Sequence, residues 1–168
     1  MGRYRPPQKP GSKYITPQGH ARLTTELDEL WRKRRPAVTK ALSAAAAEGD
    51  RSENAEYIYR KKELREIDSR VRFLRKRLEN IVIVDNKPAD KNKIYFGASV
   101  TLEEDQSGEE TCYRIVGPDE IDPKKNHISM DSPLGKALLG KLLDDEILVQ
   151  TPNGEKCYFI VNINYEDV

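Results

Sequence analysis

Only two of the 168 residues are cysteine, Cys112 and Cys157, and they stand 45 positions apart with no CxxC spacing and no neighbouring histidine. That pattern argues against a zinc site or a disulfide framework and predicts a reducing, cytoplasmic setting. No run of 18 uncharged apolar residues occurs, and the opening residues lack the apolar segment of a secretory signal. A membrane span and classical secretion are therefore not expected. Neither GxxxxGK[ST] nor GxGxxG is present, so no nucleotide fold is predicted. The two histidines, His20 and His127, fall in different parts of the chain without a partner pattern, and no nucleophile triad can be assembled. Whatever chemistry the chain carries must come from carboxylates.

What the sequence has in quantity is charge, at 34% of residues against 37% in the broad hydrophobic set. The net charge of +1 conceals a strong asymmetry. Up to Asn80, 20 Lys and Arg face 11 Asp and Glu, a charge of +9, whereas the remaining 9 against 17 give −8. The basic front half calls for an anionic partner such as a nucleic acid; the acidic rear half does not.

Residues 1–15 are rich in proline and basic side chains with nothing periodic to bury, and predict a disordered basic tail. Thr16-Pro17 then offers a helix start. Leu23, Leu27, Leu30, Val38, Leu42 and Ala45 recur at threes and fours, with Pro36 predicting a kink or short break near Arg35. Gly49 and Asp50 read as a tight turn into a second helix. There Tyr57, Leu64, Ile67, Val71, Leu74, Leu78 and Ile81 form a heptad seam. The front half, 16–85, is thus an antiparallel coiled-coil hairpin with an exposed tip.

Beyond Asp85 the period changes to two. Strands are predicted at Ile94–Phe96, Ser99–Leu102, Cys112–Val116, His127–Met130, Glu146–Thr151 and Lys156–Ile163, with a turn at Pro152-Asn153-Gly154. One helix is expected at Pro133–Leu143, capped by Ser132. The fold class is α+β: a helical hairpin, then a small, mostly antiparallel β domain over 86–168.

Asp50 and Glu53, three apart at the hairpin tip, are the carboxylates that stand out. One reading is a capping box, with each side chain bonding the other's backbone N–H. The other is a metal site, since hard oxygen ligands suit Mg²⁺; two carboxylates would have to share the ion with another macromolecule. Behind the tip lie Arg32, Lys33, Arg34 and Arg35 on one helix and Arg60, Lys61, Lys62 and Arg65 on the other, at comparable heights in an antiparallel hairpin. They read either as solvated helix faces or, together, as a phosphate-binding patch.

The stretch Gly49-Asp50-Arg51-Ser52-Glu53-Asn54-Ala55-Glu56-Tyr57 closely resembles the tip of the Gre transcript cleavage factors of bacterial RNA polymerase. Similar matches occur at Leu30-Trp31-Arg32, Arg35-Pro36, Glu66-Ile67-Asp68, Phe96-Gly97-Ala98, Tyr113-Arg114-Ile115-Val116-Gly117, Ile128-Ser129, Asp131-Ser132-Pro133 and Thr151-Pro152. Arg51-Ser52, Leu30-Trp31 and Lys61-Lys62 look more like the GreB branch of that family than the GreA branch. The resemblance implies an FKBP-like C-terminal domain that docks on the polymerase through Asp131, Ser132 and Pro133. It also implies a hairpin that enters the secondary channel of a backtracked complex. Asp50 and Glu53 would there help hold a Mg²⁺ shared with the polymerase, and the basic patch would hold the nascent RNA 3′ end. The chain would then be a monomeric accessory factor to the polymerase's own RNA hydrolysis, and not an enzyme itself. A secondary-channel regulator that does not cleave, a peptidyl-prolyl isomerase and a simple RNA-binding coiled coil are the rival expectations.

Overall fold

In the computed structural model, which describes residues 11–85 and 87–165, the chain divides into two units. The helical unit spans Gln18–Ile81. Helix α1 (Pro17–Glu29) begins on a proline, whose missing N–H costs nothing in a first turn. A π-helical turn, Leu30–Arg34, leads into α2 (Arg35–Ala46), and α3 (Ala55–Asn80) returns alongside. The cross-helix bonds give the direction: Asn54 meets Ala45, Arg34 meets Glu63, Arg35 meets Asp68, and Arg70 meets Glu26. From Ala45–Asn54 through Arg35–Asp68 to Glu26–Arg70, one partner's number falls as the other's rises, so the helices are antiparallel.

The buried apolar side chains of this unit are Leu23, Leu30, Val38 and Ala45 on the way out and Ile67, Val71 and Leu74 on the way back. Each of the Leu, Val and Ile side chains contributes on the order of 1.5–3 kcal/mol by leaving water. The break expected near Arg35 takes a specific form. Pro36 has no N–H to give to Arg32, and the Arg35 N–H reaches back five residues to the Leu30 carbonyl, closing a π turn. Buried positions on either side are consequently spaced seven, eight and seven apart.

The second unit comprises residues 11–17 and 82–165. Strand β1 (Tyr14–Ile15) pairs in parallel with β2 (Val82–Ile83). Strands β3 (Ser99–Glu104), β4 (Glu110–Val116), β5 (His127–Ser129), β6 (Glu146–Thr151) and β7 (Gly154–Asn164) form one sheet in the order β5-β4-β3-β7-β6. Ile94, Ala98, Val100, Leu102, Ile115, Ile147, Val149 and Ile160 bury one core, which Leu138 of helix α4 (Pro133–Leu138) completes. Gly135 is obligatory there, because a Cβ would stand 2.2 Å from the Ser129 carbonyl oxygen.

Several expectations need correction. Residues 11–15, assigned to a tail, pack on this unit: Ile15 is buried and the Val82 N–H donates to the Lys13 carbonyl. The rest of that expected tail lies outside the described residues. Residues 82–85, assigned to the hairpin, also belong here, since the helix ends at Asn80 and the chain turns extended to pair with β1. The sheet is mostly antiparallel, as expected, with β4 and β5 its one parallel pair; two 3-10 turns, Pro118–Glu120 and Pro123–Lys125, carry that crossover. Ile94–Phe96 forms no strand, and α4 stops at Leu138 instead of Leu143. Both follow from one set of bonds: the Gly140 N–H donates to the Ile94 carbonyl and the Ile94 N–H to the Lys141 carbonyl, pulling the chain out of the helix.

Candidate functional site

At the hairpin turn, Gly49 adopts φ +138°, a region that side chains disfavour, and lets the chain reverse. The Asp50 Oδ1 then accepts from the Ser52 N–H at 2.9 Å and from the Ser52 hydroxyl at 2.8 Å. These donors, the backbone one foremost, hold the Asp50 carboxyl below the ordinary aspartate range, so it is ionised at neutral pH. Glu53 is exposed. Among the described residues its carboxylate has no hydrogen-bond or ion-pair partner.

The cap on α3 is neither of them. Asn54 Oδ1 accepts from the Tyr57 N–H at 3.0 Å, while Asn54 Nδ2 donates to the Ala45 carbonyl at 2.7 Å. One side chain thus closes the helix start and ties it to the end of α2. The Asp50–Glu53 capping box is overturned, and the two acids sit in a turn before the helix instead of on its face. Sequence reasoning missed Asn54 because Asp and Asn are equally good caps and the heptad pattern does not say where the first turn begins.

The basic clusters do converge across the hairpin, but five of their eight charges are engaged. Arg32 pairs with Asp28 at 3.4 Å, Arg34 with Glu63 at 3.3 Å, and Arg35 with Asp68 at 2.7 Å. Arg60 bonds Glu56 at 2.7 Å and Glu63 at 2.9 Å, and Lys62 stands 3.9 Å from Glu66. Lys33, Lys61 and Arg65 have no ion-pair partner among the described residues. Next to the tip, Arg51, Tyr57, Ile58, Lys61, Lys62 and Arg65 line an open groove of about 680 Å³. The Arg51 guanidinium and the Lys61 ammonium each lie 5.7 Å from the Tyr57 ring centroid. Arg51, Tyr57 and Ile58 were not among the expected site residues. Their signal was present in the sequence, as an arginine inside the turn and aromatics interleaved with lysines.

In the β unit, Ser132 caps α4, its hydroxyl accepting from the Gly135 N–H at 3.0 Å, and Pro133 is exposed at the first helical position. The Asp131 carboxylate receives the Ser12 N–H at 2.8 Å and the Ser12 hydroxyl. A second acid, this one buried, ties down the same segment: Glu120 accepts from the Thr16 N–H and the Gly117 N–H, each at 3.0 Å, and from the Thr16 hydroxyl. Gly117 permits this approach, since a Cβ would lie 2.1 Å from the Tyr14 carbonyl oxygen.

The chain matches two family models along most of its length. Residues 13–83 match the N-terminal domain of transcription elongation factors of the GreA/GreB type, and residues 89–165 match the GreA/GreB C-terminal domain. A transcription elongation factor GreB of Pseudomonas aeruginosa is 66% identical over 98% of this chain and 98% of its own. One from Xanthomonas axonopodis is 58% identical over 98% of both chains, and one from Yersinia pestis is 59% identical over 92% of this chain and 90% of its own. The solved structure of a GreA factor homolog of Thermus thermophilus is 29% identical and covers 90% of this chain and 97% of that one, with a TM-score of 0.41. The chain belongs to the GreA/GreB family of transcription elongation factors, on the GreB side of it.

Proposed function

We propose that this Gre-type elongation factor, which acts on RNA polymerase, inserts its hairpin into the polymerase's secondary channel and stimulates cleavage of nascent RNA in backtracked, arrested complexes. The observation that carries the proposal is the division of labour at the tip. Asn54 does the capping, so Asp50 and Glu53 are left exposed and ionisable at the end of a hairpin whose flanks are otherwise basic. Acids not needed for the helix cap are available for a partner.

Carboxylate oxygens suit Mg²⁺, but the described residues contain no group of three or more His, Cys, Asp or Glu able to hold a metal. Asp50 and Glu53 would therefore share the ion with polymerase ligands. Bound there, Mg²⁺ would supply Lewis-acid stabilisation of the phosphodiester and of an ionised water. The chain's own part is positional. The bonds from Ser52 to Asp50 Oδ1 fix that carboxylate; its other oxygen would be free to help hold the ion, and Glu53 would orient the attacking water. The groove beside Tyr57 would receive the extruded RNA, with Lys61, Lys62 and Arg65 on phosphates. Asp131, Ser132 and Pro133 would dock the β unit on the channel rim, with Ser12 holding the Asp131 carboxylate in place.

The test is addition of the protein to a stalled, backtracked polymerase complex with 3′-labelled RNA. Short labelled fragments that appear only with the factor support the reading. Binding without fragments would make it a channel regulator that does not cleave.

A further inference from the structure

The stretch from the end of β4 to the start of α4, residues 117–132, is tied at both ends to one short piece of chain, residues 11–16. At its beginning the Glu120 carboxyl, only 5% exposed, collects the Gly117 N–H of its own turn together with the N–H and the hydroxyl of Thr16. At its end the two oxygens of Asp131 take different donors from a single residue, Oδ2 the Ser12 N–H and Oδ1 the Ser12 hydroxyl. Between these ties the segment is seated closely. A Cβ on Gly11 would stand 3.2 Å from the Pro118 ring and 3.5 Å from Asp131 Oδ2. On its other side the Val82 N–H donates to the Lys13 carbonyl at 2.6 Å and the Val84 N–H to the Ile15 carbonyl at 2.9 Å.

Ile15 is the one apolar side chain that residues 11–16 bury. A carboxyl taken out of water is costly unless donors meet it, and two of the three that meet Glu120 come from this segment. Core burial alone does not account for two acids converging on so short a piece of chain. What the ties control is the 131–133 turn. Its backbone is set from within, by the Asp131 N–H on the Ser129 hydroxyl at 3.0 Å and by the Ser132 cap on α4. The Asp131 side chain is gripped from outside, with one Ser12 donor on each oxygen, and a carboxylate held twice cannot rotate. A side chain ordered before a partner arrives does not have to be ordered on docking, so association loses less entropy.

We infer that residues 11–16 are a positioning strap for polymerase docking. Ser12 sets the direction of the Asp131 carboxylate, and Thr16, through Glu120, sets the other end of the same stretch, so that 131–133 meet the polymerase preformed. Ser12 acts through Asp131 and not by touching the polymerase. The inference rests on the reading that Asp131, Ser132 and Pro133 dock, and it is independent of whether the complex then cleaves RNA.

The test is the Kd of the full-length protein for core polymerase, measured by competition with labelled parent protein at a temperature far below the melt. A bond that only stabilises the fold leaves that Kd unchanged there. Ser12→Ala should raise it on the order of tenfold, the equivalent of one hydrogen bond to a carboxylate. Ser12→Thr, which keeps the hydroxyl, should restore it. Asp131→Ala should also raise the Kd, and in that background Ser12→Ala should add nothing, because the two act as one unit.

Parent-like affinity of a folded Ser12→Ala variant, or a loss of the same size that persists beside Asp131→Ala, would overturn the inference and leave docking through 131–133 in place. An Asp131→Ala variant that binds like the parent would overturn both.

Discussion

The helical unit and the β unit are stabilised in different geometries. The hairpin buries a single file of seven apolar side chains, and the ion pairs that cross it are partly exposed, Arg35–Asp68 and Arg70–Glu26 among them. Surface pairs of this kind contribute about 0–1 kcal/mol each, so the seam dominates. The β unit instead closes nine buried residues around one centre. A seam leaves most of its side chains on the outside, and that is where the tip acids, most of the cations and the exposed Trp31, Tyr59 and Phe73 are found. The lesson is that the hairpin is shaped to present groups and the β unit to hold together.

The largest effect that sharpens this contrast is functional and should leave stability alone. Asp50→Asn with Glu53→Gln keeps the turn's size and leaves the Asn54 cap untouched, but removes the charges a metal needs. The double variant should melt with the parent and still compete for polymerase, yet lose most cleavage stimulation, as measured by fragment release from a backtracked complex. Full cleavage by a folded double variant would break the division between presenting and holding.

Next come the two cores. Leu74→Ala in the seam and Ile160→Ala in the sheet each remove a fully buried side chain and should cost about 2–5 kcal/mol. Urea unfolding followed by Trp31 fluorescence reads the hairpin, and amide exchange along β6 and β7 reads the sheet. Leu74→Ala should move the first signal and Ile160→Ala the second. A smaller loss is expected from Asn54→Ala, which removes the cap and the tie to Ala45 and should cost the hairpin about 0.5–2 kcal/mol by the same fluorescence measurement.

The smallest effect is one of pH. Burial, and next the Arg114 charge, push the His127 imidazole below its ordinary value of 6.5. The unfolded chain therefore takes up this proton first. The β unit should lose stability as pH falls from about 6.5 towards the folded value, with the loss complete below it. Urea midpoints for the sheet at about pH 7.5 and about pH 5.5 should differ less in His127→Gln than in the parent.

Much of this contrast was legible in the sequence. Heptad spacing announced α3, alternation announced β6 with its ends correct, and the GDRSENAEY stretch marked the tip before any geometry was known. What escaped reading were contacts without a period. Ser12 and Thr16 find Asp131 and Glu120 more than a hundred residues away, and an isolated hydroxyl carries no signature of such a partner. The basic patch was overcounted for a related reason. Composition counts charges, whereas Glu56, Glu63 and Asp68 had to be placed in space before Arg34, Arg35 and Arg60 could be seen as spoken for. The stacking of Arg75 on Trp31 was hidden likewise, because the two side chains meet only once the hairpin closes.

The π turn at Leu30–Arg34 has a bearing on how this hairpin can change length. One residue added to a helix rotates everything beyond it by about 100° and would turn Val38 and Ala45 away from α3. Here the wide turn absorbs that residue and returns both to the seam. The hairpin therefore has one locus where a single-residue deletion costs little, since losing Pro36 itself converts the turn to ordinary helix and keeps the phase. A single-residue deletion between Val38 and Ala45 would roll the last turn of α2, and with it the aim of the acidic tip, out of register.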